Sequence, residues 1–211
     1  ERPSSAPTRG PPRPKDPVRE ISMAMSKILR HSAAKDGLQI RADGYMLVSE
    51  LLRHPRMRNV TLETIQQVCR DNDKQRFHLT TEAGAAGQDV WIVRANQGHS
   101  MAKVEVEMEE ITSAEQAPVV VHGTFKRFLS DIEREGLKIM SRQHIHFSVG
   151  LFGEEGVTSG MRKTCDVYIY IDIEKALADG IKFERSQNGV ILSSGINGVI
   201  APKYFKKVEF K

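Results

Sequence analysis

Between residues 101 and 117 the chain is acidic and carries no apolar repeat that a helix or a strand could bury. Helices bury a stripe recurring every three to four residues, and strands bury alternate residues. A stretch with neither pattern cannot run through one continuous core. The sequence therefore reads as two apolar halves, 18–100 and 118–211, with 101–117 as a linker. A chain of 211 residues is long enough to bury a core in each.

The first half opens with Ile21, Met25, Ile28 and Leu29 at helical spacing, so a helix is expected up to the basic pair Arg30 and His31. A second short helix fits residues 48–53, stopped before Pro55. A third starts at the N-cap Thr61 and should bury Leu62, Ile65, Val68 and Cys69. Residues 76–80 and 89–93 are rich in strand formers and are separated by a loop containing Gly84 and Gly87, which predicts a hairpin. Three helices followed by a hairpin have the order of a winged helix.

In the second half, Val119, Val120 and Val121 predict a short buried strand, and residues 125–135 predict a helix closed by Gly136 with Phe128, Leu129 and Ile132 on one face. Strands are then expected at 144–148, 167–173, 189–192 and 208–210, with a short helix over 174–179 ended by Gly180. The fold class is α+β. No internal repeat is visible in either half.

Residues 1–17 hold six of the nine prolines, interspersed with Arg2, Arg9, Arg13 and Lys15. That composition cannot bury enough apolar surface to offset ordering entropy, so a disordered basic tail is expected. The net charge of +4 fits an anionic partner without identifying one. No apolar run approaches the ~18–20 residues that span a bilayer. There is no apolar signal core near the first residues, and the expectation is an intracellular protein, cytoplasmic or nuclear. Cys69 and Cys165 show no metal-ligand spacing and read as two reduced thiols.

Two polar clusters fall where the chain changes direction in the first half: Asp73, Lys74, Gln75, Arg76, and then Asn96, Gln97, Gly98, His99, Ser100 after Arg94. Guanidinium groups at loop ends suit bidentate phosphate binding, although each arginine alone would pass for a solvated charge. In the second half, His122, Gly123, Thr124 is expected to end a strand and open a helix, where backbone donors can hold an anion or a ribose. His144 and His146 alternate along a strand, but no nearby cysteine or carboxylate completes a metal set, and none is expected. Ser159, Gly160, Met161, Arg162 has the form of a tight turn that delivers an arginine.

Taken together and in order, six segments resemble the RNA 2′-phosphotransferase family, best known as tRNA 2′-phosphotransferases. They are Leu29 to His31, Asn72 to Phe77, Asn96 to Ser100, His122 to Thr124, Met140 to His146, and Ser159 to Arg162. The resemblance spans about residues 19–205. Each segment is weak alone; their shared order makes the resemblance specific.

The resemblance implies a winged-helix RNA lobe joined to an ADP-ribosyltransferase-like NAD lobe, with NAD consumed as co-substrate. Its partner would be RNA bearing an internal 2′-phosphate, tRNA foremost, with no membrane and no obligate protein partner. It implies a catalytic quartet at Arg30, His31, Arg76 and Arg142. It also implies an NAD pocket using His122, Gly123, Thr124, His144, His146, Ser159, Gly160 and Arg162. In the implied chemistry the 2′-phosphate attacks the NAD ribose and nicotinamide leaves. The neighbouring ribose hydroxyl then attacks phosphorus, giving RNA with a 2′-hydroxyl and ADP-ribose 1″,2″-cyclic phosphate. Many ADP-ribosyltransferases use a glutamate to ready the acceptor; residues 188–194 contain none, and an anionic phosphate does not need one. Two other functions fit the same halves: a transferase that leaves ADP-ribose on a nucleic-acid phosphate end, and a non-catalytic nucleic-acid binder whose second lobe senses ADP-ribose.

Overall fold

A computed structural model of the chain describes residues 16–154, 157 and 161–211. Most of the proline-rich tail, and the pair Ser159 and Gly160, lie outside the described residues. The tail's last two residues begin the first helix. Asp16 caps it by accepting from the Val18 and Arg19 amides, and Pro17 supplies a preset φ at its first position.

Helix α1 (Pro17–Lys27) does not run on as a regular helix to the basic pair. It widens into a π-helical turn over Ile28–Ser32, where the Ala33 amide reaches back to Ile28 O at 3.0 Å. Helix α2 (Val48–Leu52) follows, and then α3 (Leu62–Arg70), whose N-cap Thr61 accepts from the Thr64 amide. Ile65 and Val68 of α3 are buried, while Leu62 and Cys69 pack at the edge of the same core. The hairpin is longer than residue preference indicates, with β2 (Phe77–Ala83) paired along its length to β3 (Asp89–Ala95). A two-residue strand β1 (Met46–Leu47) adds to β3 and gives the antiparallel order β1-β3-β2. The core beneath it includes Met25, Ile28, Leu29, Leu51, Ile65 and Val93.

The acidic segment 101–117 supplies more than a connection. Its strand β4 (Glu109–Ile111) pairs with residues 183–185, and Ile111 and Ala117 are buried in the second core. Three residues are too few to show alternation, so the pairing is invisible without its partner. Strand β5 (Val121–Thr124), helix α4 (Lys126–Glu135), β6 (Leu137–Lys138), β7 (Ile145–Phe147) and β8 (Val167–Ile171) come next. They are followed by α5 (Ile173–Ala178), β9 (Phe183–Arg185), β10 (Ile191–Ser193), β11 (Val199–Ile200) and β12 (Phe205–Phe210). The strands form sheets ordered β4-β9-β10-β7 and β12-β8-β5, with β11-β6 as a separate pair. Backbone hydrogen bonds of 3.0 and 2.8 Å between Val121 and Ser148 join β5 to the end of β7. Ile145, Phe147, Ile169, Phe183 and Ile191 from the two sheets share one core.

The fold class is α+β. One local expectation holds in part: His122, Gly123 and Thr124 end β5, paired with Ile169, Tyr168 and Val167, but they do not themselves open the helix. The helix starts later, where Asp166 accepts from the Lys126 amide at 2.8 Å and caps α4 from outside its own segment. Gly136, at φ +83°, closes it, and a Cβ there would run into Ile200 O. Cys69 and Cys165 are free thiols. Among the described residues no helix is long and apolar enough to cross a membrane.

Candidate active site

Arg30 and His31 sit on the π turn, whose extra residue rotates the side chains after it away from the regular helical register. The loop following β3 fastens the turn. Ser100 N donates to Arg30 O at 3.0 Å, and Ser100 Oγ lies 2.9 Å from His31 Nδ1. Arg76 arrives from the α3–β2 connection, which turns sharply at Gln75 with φ +43°. Asn72, only 8 % exposed, organises this turn. Its Oδ1 accepts from the Lys74 amide at 3.2 Å, the Arg76 amide at 3.3 Å and Arg76 Nη1 at 2.9 Å, while its Nδ2 donates to Ser22 Oγ. Arg142 comes from the second half, two residues after Met140 at φ +57°, and its Nη1 is 3.5 Å from His146 Nδ1.

Arg30 stands in the electrostatic field of Arg76 and Arg142, and His31 in that of Arg30 and Arg142. Burial, followed by the charges of Arg76 and Arg142, brings the Arg30 guanidinium down to about 10. Burial and then Arg30, Arg142 and Lys27 hold His31 below the usual imidazole value. Arg142 is itself lowered, by burial and by Arg162. Arg76 meets Asp73 at 3.5 Å, but Arg30 Nε and Nη2 are buried and find no acceptor among the described residues. Converging guanidiniums with an acceptor shortfall form a site for a multiply charged anion.

Beside them lies a cavity of about 680 Å³. Its polar lining includes His122, Gly123, Thr124, Arg142, His144, His146 and Arg162, and Phe125, Phe128 and Ile139 line its apolar part. His122 Nδ1 donates to His146 O at 2.9 Å, tying β5 to β7. A Cβ at Gly123 would meet Met161 Cβ at 2.9 Å and Cys165 Sγ at 3.0 Å, so glycine allows the 161–165 segment to close over β5. Ser148 Oγ, also in the lining, is buried without a hydrogen-bond partner among the described residues. His144 lies 3.8 Å from Glu184 Oε2. No group of three or more histidine, cysteine or carboxylate side chains among the described residues is placed to hold a metal ion.

Residues 16–195 match the model of the RNA 2′-phosphotransferase, Tpt1/KptA family. The chain belongs to this family. A Schizosaccharomyces pombe relative is 47 % identical over 98 % of this chain, which spans only 55 % of that relative's length. The Danio rerio protein named tRNA 2′-phosphotransferase 1 is 42 % identical over 90 % of this chain and 84 % of its own length. The Saccharomyces cerevisiae tRNA 2′-phosphotransferase is 38 % identical over 91 % of the chain and 85 % of its own length.

For this 2′-phosphotransferase family member, sequence reasoning alone left several supporting residues without a role. Asn72, Gln97 and Ser100 fall inside the family segments, yet the contacts that give them roles reach residues 50, 49 and 69 positions away. Ser148 carried no signal, because one serine after a strand looks like any other.

Proposed function

We propose that the chain removes an internal 2′-phosphate from RNA, with spliced tRNA the foremost substrate, and consumes NAD in doing so. The observation carrying this reading is the convergence of Arg30, His31 and Arg76 with Arg142, which itself lines a cavity of about 680 Å³. On this reading the helices and hairpin of the first half form a winged-helix RNA lobe, and the second half is an ADP-ribosyltransferase-like NAD lobe. The cavity suits a dinucleotide: it has an aromatic part, a basic part, and an orphaned donor at Ser148.

NAD would supply the electrophilic ribose carbon with nicotinamide as its leaving group. Arg30, Arg76 and Arg142 clamp the RNA phosphate and hold it for in-line attack. The phosphate is already anionic, so no base is needed for this first step. In the second step a ribose hydroxyl attacks phosphorus, and charge grows on oxygens that the same guanidiniums already face. His31 is suited to take the hydroxyl proton: it is kept neutral by burial and its cationic neighbours, and Ser100 fixes its Nδ1 edge. The RNA 2′-oxygen then departs and acquires a proton.

The test is incubation with NAD and a 2′-phosphorylated oligonucleotide. Formation of the 2′-hydroxyl product with one nicotinamide released per phosphate removed is the expected result. Dephosphorylation that proceeds equally without NAD overturns the reading, and ADP-ribose left permanently on the RNA would assign the chain to phosphate-end transfer.

A further inference from the structure

The segment Asn96 to Ser100 crosses from the first half to the edge of the second, and its contacts go beyond binding substrate. We propose that Gln97 is a positioning residue: from the first half it fixes the tautomer and ring rotation of His146, and His146 in turn holds the Arg142 guanidinium toward Arg30, His31 and Arg76. This rests on the reading of Arg142 as a phosphate ligand.

The argument is one of donors and acceptors. His146 Nε2 lies 2.8 Å from Gln97 Oε1, and His146 Nδ1 lies 3.5 Å from Arg142 Nη1. A guanidinium can only donate, so Nδ1 carries the lone pair. The neutral ring therefore carries its proton on Nε2, and that proton can go only to an acceptor, which Gln97 Oε1 provides. Burial, then Arg142, Arg30, His144 and His122, bring the ring down to about 3, so it stays neutral in use. The neighbouring strand anchors the His146 backbone, since His122 Nδ1 donates to His146 O.

Gly98 suits the turn by its backbone angle. At φ +84° it passes between the two halves, where an added Cβ would lie 3.5 Å from His146 Nε2 and 3.6 Å from Arg30 Cδ. The same segment holds the other members in place: Asn96 N donates to Arg76 O at 2.9 Å, Asn96 Nδ2 donates to Gln75 O at 2.7 Å, and Ser100 engages His31. Gln97 is linked to the arginine of the second half through His146.

The test combines nitrogen-15 histidine spectra with steady-state kinetics on the full chain. In the unaltered protein His146 should appear as the Nε2–H tautomer. Gln97→Leu should leave the Nε2–H without its acceptor, shift and broaden its signal, and lower kcat roughly 10- to 100-fold, as misplacement of a reacting group does, with KM for NAD held within about two-fold. Gln97→Glu, whose carboxylate can only accept, should restore most of kcat. Its acid limb should lie at higher pH, because the carboxylate favours an imidazolium whose Nδ1–H faces Arg142. An Nδ1–H tautomer in the unaltered protein, or full kcat in Gln97→Leu, overturns the proposal. Should Gln97→Leu fail to fold, the unaltered spectrum and Gln97→Glu still decide. Absence of NAD-dependent dephosphorylation in the unaltered protein refutes the functional reading, and the tautomer then decides the positioning role alone.

Discussion

At the scale of single residues, Arg76 and Arg142 differ from ordinary surface arginines in what they face. Both add to the positive field at Arg30, and the donors not taken by Asn72 and Asp73 on Arg76, or by His146 beside Arg142, are left for a ligand. The second chemical step builds more charge on phosphorus than the first, and loss of one clamp should harm it more. Arg76→Ala and Arg142→Ala are expected to consume some NAD and accumulate ADP-ribosylated RNA phosphate, with lysine at either position rescuing poorly because an ammonium cannot reproduce the fork. A time course with labelled RNA checks this; uniformly slowed product formation with no intermediate would remove these arginines from the second step. His31 gives a separate test. Its imidazole is expected to titrate below the ordinary 6.5 and to move upward in Arg142→Gln, as read by proton spectra across pH. The four residues could be singled out because they sit in ordered segments along the chain. The supports could not: Asn72 acts through Ser22 and Gln97 through His146, and such distant partners exist only after folding.

Among the elements, those set by local chemistry were legible and those set by pairing were not. Thr61 announced α3 and Gly136 closed α4, each through its own capping geometry. Strands β1, β6 and β11 have two residues each, too short for any period, and exist because a partner strand lies beside them. The π turn at Ile28–Ser32 was equally hidden, since the apolar spacing before it is that of a plain helix. Helix α4 offers a clean test of the local kind. Gly136→Ala would place a Cβ against Ile200 O at a φ that side chains avoid, so stability should fall by more than ~1 kcal/mol. Asp166→Ala, which removes the outside cap of the same helix, should cost about 1 kcal/mol. Chemical denaturation of both variants checks these values, and no loss in Gly136→Ala would show that β11 yields.

Across the whole molecule, the two halves are pinned at the site. Lys74 Nζ donates to Met161 O at 2.8 Å, Asn188 Nδ2 donates to Lys74 O at 2.9 Å, and Gln143 Nε2 reaches Met101 O and Val104 O at 3.1 Å each. These contacts hold like charges together that would otherwise separate, and the free protein bears that repulsion as lost stability. Arg30 bears most of it, being buried, flanked by two guanidiniums, and left with two donors that have no acceptor among the described residues. Replacing such a group with an unbranched apolar side chain keeps the packing of its stem and removes both the desolvated charge and the repulsion. Arg30→Met is therefore expected to abolish dephosphorylation yet stabilise the free protein by about 0.5–2 kcal/mol, a rise of a few degrees in Tm. A phosphate ligand relieves the same repulsion in the unaltered protein, so 2′-phosphorylated RNA should raise its Tm and leave that of Arg30→Met nearly unmoved. Thermal melts with and without the oligonucleotide read both effects. A Tm that falls by several degrees in Arg30→Met would mean that Arg30 holds the fold together, and the cluster would then be structural before it is catalytic.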